Sequence, residues 1–208
     1  MVLAPGYAPL SFTAPEPGSY ALPAMGSAAD GAVIDSEGNS AKLHDFLGDK
    51  PTVLSFIFTT CDDVNGCPLA TYVMRSVQDA LQADPATADK ARLVSFSFDP
   101  VFDTPDVINA YGSQFRAGDF DWQFLTTEGA TTLDPILNAY GQWVIRDYDE
   151  NGEYMGTMSH ILRVFLIDES RQIRNIYSTS FLHADTVAND VRSLLMEATA
   201  ATSADTGS

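Results

Sequence analysis

Cys61 and Cys67 are the only two thiols in the 208-residue chain, and five residues, 62–66, separate them. Two cysteines this close, with no others to staple a scaffold, suggest chemistry at sulfur more than a disulfide framework. That chemistry is either reversible thiol–disulfide exchange or capture of a soft metal ion; a single structural disulfide is the plain alternative. Asp62 and Asp63 lie inside the loop, where carboxylates oppose thiolate formation by like-charge repulsion and strengthen the attraction for a cation. Asn65-Gly66 is a turn signal that folds Cys67 back toward Cys61.

The elements on either side must carry these sulfurs. Residues 53–58, with β-branched and aromatic side chains in a continuous apolar run, predict a buried strand. Pro68 starts a helix with Leu69, Tyr72, Val73, Val77, Ala80 and Leu81 on one face, and proline is at home in a helix's first turn. Strand, thiol loop and helix in that order set two sulfurs at a sheet rim, beside a helix N-terminus. The dipole and free N–H groups there favour thiolate over thiol.

The rest of the chain alternates strands and helices. Residues 1–30, with five prolines, predict an extended Pro/Ala-rich arm laid over the domain; residues 31–43 predict a hairpin turning at 36–39. A short helical turn follows at 44–48. Strands are expected at 92–98, 122–125 and 142–146, and helices from Pro105 and over 130–140. A hairpin of strands 161–167 and 172–177 and a helix from about Asp185 close the domain near residue 198. The small polar residues 199–208 predict a disordered tail. The core order β-α-β-α-β-β-α is that of an α/β, thioredoxin-like fold, a central mixed sheet flanked by helices, here with an N-terminal β-hairpin extension.

The net charge, 11 − 28 = −17, excludes a nucleic-acid binder, which needs a cationic face for phosphates. No segment is apolar over a bilayer-spanning length. The N-terminus lacks the basic and long apolar regions of a signal peptide, so the expectation is a cytosolic chain or one whose leader or membrane tether has been removed.

Four stretches carry a family likeness: Phe56-Ile-Phe-Thr-Thr-Cys61 with Cys67-Pro68; Ser97-Phe-Asp-Pro100 with Asp103-Thr-Pro105; His160 directly ahead of the strand that ends at Asp168; and the lead-in from Ala32 to Pro51. With them the chain resembles the SCO/SenC family of copper-binding thioredoxin-like proteins, which serve cytochrome oxidase assembly. Two departures stand out. The family usually places three residues between its cysteines, against five here, and often has Asp where this chain has Ser159. The longer loop still permits a disulfide, because closing two more residues costs only tenths of a kcal/mol.

The resemblance implies a metal site of Cys61, Cys67 and His160. Soft thiolates select Cu(I), and imidazole accepts Cu(I) or Cu(II). It implies a metallochaperone, not a turnover enzyme, located outside the cytoplasmic membrane (periplasmic in a bacterium). Its partners are a copper-receiving protein, such as a cytochrome oxidase subunit, and a thiol reductant. The rival is a thiol-disulfide oxidoreductase or thiol peroxidase with Cys61 and Cys67 as attacking and resolving thiols, which has no need of His160. A third reading is a redox-inert domain with one disulfide and a partner-binding role. Met155 and Met158 offer a soft thioether or an apolar lining near His160. His44 is expected on a surface turn and His183 near a helix start, while Asp99 and Asp103 are expected to cap a helix and be solvated.

Overall fold

The computed structural model describes residues 2–205. In chain order the elements are β1 (Gly26–Ser27), β2 (Ala32–Asp35), β3 (Ser40–Lys42), a 3-10 turn (Leu43–Phe46), β4 (Thr52–Ile57), α1 (Cys67–Gln82), β5 (Arg92–Ser97), α2 (Pro105–Ser113), β6 (Trp122–Thr126), α3 (Ala130–Ala139), β7 (Val144–Tyr148), β8 (Tyr154–His160), β9 (Arg163–Ile167), β10 (Gln172–Ser178) and α4 (Ala184–Asp205). The main sheet runs β1-β10-β9-β4-β5-β6-β2-β3. Its centre is parallel (β4, β5, β6), and β9 closes antiparallel onto β4.

β4 is buried along its whole length, which is why its sequence is a continuous apolar run and not an alternation. One face of the sheet packs Val53 and Leu93 against Leu69, Val73 and Val77 of α1 and Val187 and Val191 of α4. The other packs Leu54, Phe56 and Phe165 against Leu133 and Ile136 of α3. The expected mixed sheet, flanking helices and N-terminal hairpin are all present.

Three expectations are revised. The strand expected at 142–146 is Val144–Tyr148, and it pairs with an unforeseen strand, β8, in a separate two-stranded ribbon. His160 therefore ends a strand of its own. Helix α4 does not stop near residue 198; it continues to Asp205, since Ala198, Ala200, Ala201 and Ala204 are strong helix formers and the Thr199 hydroxyl donates back to the Leu195 carbonyl at 2.8 Å. Residues 206–208 of the expected tail lie outside the described residues. Among the described residues, no helix is long and apolar enough to cross a membrane.

Candidate metal centre

β4 ends at Ile57, and the chain turns through Phe58 to Thr60 before Cys61. The turn is clipped in place by Asp103, which is fully buried. Its carboxylate accepts from the Ser97 hydroxyl (2.5 Å), the Thr59 amide (3.0 Å) and the Thr59 hydroxyl. Asp103 is therefore a buried brace between the ends of β4 and β5, not the solvated cap expected. Burial pushes its carboxyl above the usual range despite these donors. Asp99 is likewise buried and accepts from Arg146 at 3.2 Å, tying β7 to the sheet rim.

Cys67 is the first residue of α1 and is buried, with Gly66 as the helix N-cap, so the helix starts one residue ahead of Pro68. Cys61 is half-buried, and both cysteines are free thiols. The two sulfurs and a ring nitrogen of His160 all lie within 4.8 Å of one another, the only such group of three among the described residues. Cys67 Sγ stands 3.6 Å from His160 Nε2.

The ribbon sets the histidine. β8 pairs His160 with Val144, and the ring lies against Phe58 and Phe98, with centroids 5.7 and 5.1 Å apart. Nδ1 is 2.9 Å from the Met158 carbonyl, an acceptor only, so Nδ1 carries the proton and donates. Nε2, with its lone pair, is left facing the sulfurs. A backbone acceptor fixing the far nitrogen is how a metal-binding imidazole is oriented. Met158 is buried in the apolar cluster that holds Cys67, whereas Met155 is exposed.

The two thiols differ sharply. A hydrogen bond from Cys67, aided by the Cys67 and Asp63 amides and, last, by the electrostatic influence of His160, lowers Cys61 to about 6. Burial, then the neighbouring Cys61 sulfur, pushes Cys67 well above the ordinary thiol range. The helix start thus favours thiolate at Cys61 and not at Cys67, although Cys67 is the residue on the helix. The contribution of Asp63 to this lowering is its amide N–H. Alkylation of the reduced, metal-free protein should follow: Cys61 reacts at a rate that rises with pH through about 6, while Cys67 stays protected. Mass mapping of a pH series of iodoacetamide labelling checks this, and equal labelling of both thiols would contradict it.

The other histidines lie elsewhere. His44 Nε2 is 3.0 Å from the Ala28 carbonyl. His183 accepts from the Asp185 amide at the start of α4 through Nδ1, at 3.2 Å, and its Nε2 faces the Ala8 carbonyl at 2.7 Å. Beside the sulfurs a groove of about 380 Å³ runs over the first turns of α1, walled by Tyr72, Tyr111 and Phe115. The sequence reading missed the ribbon, the Phe58–Phe98 bracket and the Asp103 brace. The ribbon had one signal, the Asp149-Glu-Asn-Gly152 turn directly after the expected strand.

A mixed sheet with paired thiols after its central strand, faced by an imidazole from a ribbon, defines a thioredoxin-like protein with a two-cysteine, one-histidine centre. The chain belongs to the SCO1/SenC family, whose profile matches residues 28–196. It is 29% identical over 92 residues to the SCO1 protein homolog of Bacillus subtilis (strain 168), a match covering 44% of this chain and 45% of that one. The matched stretches span about half the length of such curated relatives. Among solved structures, Arabidopsis thaliana ScoI with copper bound superposes with a TM-score of 0.69 at 20% identity, over 84% of this chain and 99% of that one. BsSco, described as a member of the Sco family of cytochrome c oxidase assembly proteins with a disulfide switch, superposes with a TM-score of 0.64 at 20% identity, over 84% and 96%. At these identities the superpositions establish the fold.

Proposed function

We propose that this chain is a copper-binding metallochaperone that holds copper at Cys61, Cys67 and His160. The observation that carries the reading is the convergence of two sulfurs and an imidazole lone pair within 4.8 Å, with Nδ1–H already engaged by Met158. Two soft thiolates and one borderline nitrogen suit Cu(I), and the imidazole lets the same centre accept Cu(II). Copper supplies a charge that the thiolates neutralise, so Cys67 gives up its proton on loading and binding releases protons. Family membership supports delivery of the ion to a cytochrome oxidase subunit or another copper protein, outside the cytoplasmic membrane.

Loading requires the dithiol. Oxidation joins Cys61 Sγ to Cys67 Sγ with loss of two protons and two electrons and removes both thiolates, so a thiol reductant partner must restore the binding form. The asymmetry of the thiols supports a second reading, a thiol-disulfide oxidoreductase in which half-buried Cys61 attacks and buried Cys67 resolves.

A Cu(I) titration of the fully reduced protein against a competing chelator separates the two. Tight one-to-one binding that disappears on oxidation is the expected result. Absence of binding above background would overturn the copper reading and turn attention to the oxidoreductase assay.

A further inference from the structure

The cysteine loop has little of its own to hold it. Asp62 and Asp63 are exposed. The loop's internal bonds are a tight turn, with the Asn65 amide on the Asp63 side chain (3.0 Å) and the Gly66 amide on the Asp63 carbonyl (2.8 Å). Among the described residues, residues 62–66 make hydrogen bonds beyond this turn and α1 to two places, the Asp63 amide to the Cys61 sulfur and the others to the first residues of the N-terminal arm. The Ala4 amide donates to Asn65 Oδ1 (2.7 Å), Asn65 Nδ2 donates to the Val2 carbonyl (3.0 Å), and the Tyr7 hydroxyl donates to the Val64 carbonyl (2.5 Å). The Asn65 amide thus satisfies an N–H and a C=O of the arm at once, as a neighbouring strand's backbone would.

The arm is itself fixed. Gly6 is buried against α1 where any Cβ would meet the Leu182 carbonyl at 2.2 Å, and the Tyr7 ring lies 4.9 Å from that of Tyr72 on α1. Further along, the Tyr20 hydroxyl donates to buried Asp190 of α4 at 2.5 Å, and β1 pairs with β10. A loop with no apolar anchor is tied to an arm that has several.

We infer that residues 2–7 of the arm are a positioning clamp for the cysteine loop, acting through Asn65 and Val64 to hold Cys61 over Cys67 and His160. The inference deepens the copper reading and rests on it for its effect on metal. Asn65 is a positioning residue: it touches neither sulfur, and it fixes the loop that carries one of them. A loop of five residues between the cysteines has more conformations to lose than a shorter one. A clamp from outside the loop removes them before the metal arrives, which is how preorganisation raises affinity.

The test compares wild-type protein with Asn65→Ala and with Tyr7→Phe, which removes only the hydroxyl bond to Val64. Three quantities are read: amide hydrogen exchange of residues 62–66 in the reduced, metal-free protein, the Cu(I) dissociation constant, and the dithiol/disulfide equilibrium against glutathione. Thermal melting monitors the fold. Asn65→Ala is expected to speed loop exchange, weaken Cu(I) binding about tenfold, the low end of what loss of an outer-shell support costs, and move the thiol equilibrium. Tyr7→Phe is expected to do the same to a smaller degree. Loop exchange unchanged in Asn65→Ala overturns the clamp, as does faster exchange with copper affinity and thiol equilibrium both within twofold of wild type. If wild-type protein binds no Cu(I), the copper reading fails alone; loop exchange and the thiol equilibrium then decide the clamp by the same criteria.

Discussion

Cys67→Ser is expected to weaken Cu(I) binding by about a hundredfold or more, ~2.7 kcal/mol, while leaving the protein folded. The loss follows from the donor atom: a hydroxyl oxygen is hard and stays protonated, whereas Cu(I) selects soft thiolate. The fold survives because the site can satisfy a serine. The Phe58 amide already donates to the Cys67 sulfur, and His160 Nε2 stands within reach as an acceptor. Cys61→Ser should lose copper to a similar extent with a smaller effect on stability, because Cys61 is half-buried where Cys67 is buried at the head of α1. The remaining single thiols should behave differently. In a Cys67→Ala protein, which has no side-chain donor at 67, Cys61 loses the first of the influences that lower it, the hydrogen bond from Cys67, so its alkylation should shift to higher pH. Competition titrations with both variants, alongside melting curves, check the expectation. Full Cu(I) affinity in either single variant refutes a two-thiolate centre.

How much of this centre could be read in advance divides along a physical line. β4, the thiol loop and α1 were legible because their signals are local: a fully buried strand shows as an unbroken apolar run, and Pro68 marks a helix start within one residue of its place. The thioredoxin-like fold class followed from the order of alternating strands and helices along the chain. The position of His160 beside the Cys67 sulfur, 93 residues earlier, has no local signature, and it came from the family likeness alone. The pairing of β7 with β8 has only a weak sequence pattern, because the ribbon stands outside the main sheet and β7 is partly exposed along its length. Asp103 was misjudged for a similar reason. A carboxylate next to Thr-Pro looks like a helix cap, and only the packing of β4 beside β5 shows that it is sealed under the loop. The unequal thiols are also a tertiary property, since burial and a shared hydrogen bond, not the neighbouring aspartates, set them apart.

His160 divides the copper reading from the dithiol one, and its replacement should separate two functions that the cysteines share. His160→Ala is expected to lose Cu(II) binding to below detection and to weaken Cu(I) binding about tenfold, ~1.4 kcal/mol. The difference between the oxidation states arises because two thiolates alone suit Cu(I), whereas Cu(II) draws more on the imidazole. The alanine variant also removes a ring packed on Phe58 and Phe98 and a hydrogen bond to the Met158 carbonyl, so it alters the ribbon as well as the donor set. His160→Phe separates these effects: it keeps an aromatic ring in the bracket and supplies no nitrogen. Both variants should retain the dithiol/disulfide couple. Cys61 should still react through about pH 6, since the hydrogen bond from Cys67 leads the influences that lower it and that of His160 comes last. Copper titrations in both oxidation states, with the glutathione equilibrium measured on the same samples, give the comparison. If His160→Phe binds both copper ions as wild type does, His160 is no ligand, and its ring serves only to pack beside Cys67. If it loses copper and keeps the thiol couple, the imidazole is what makes a dithiol of this fold a metal site.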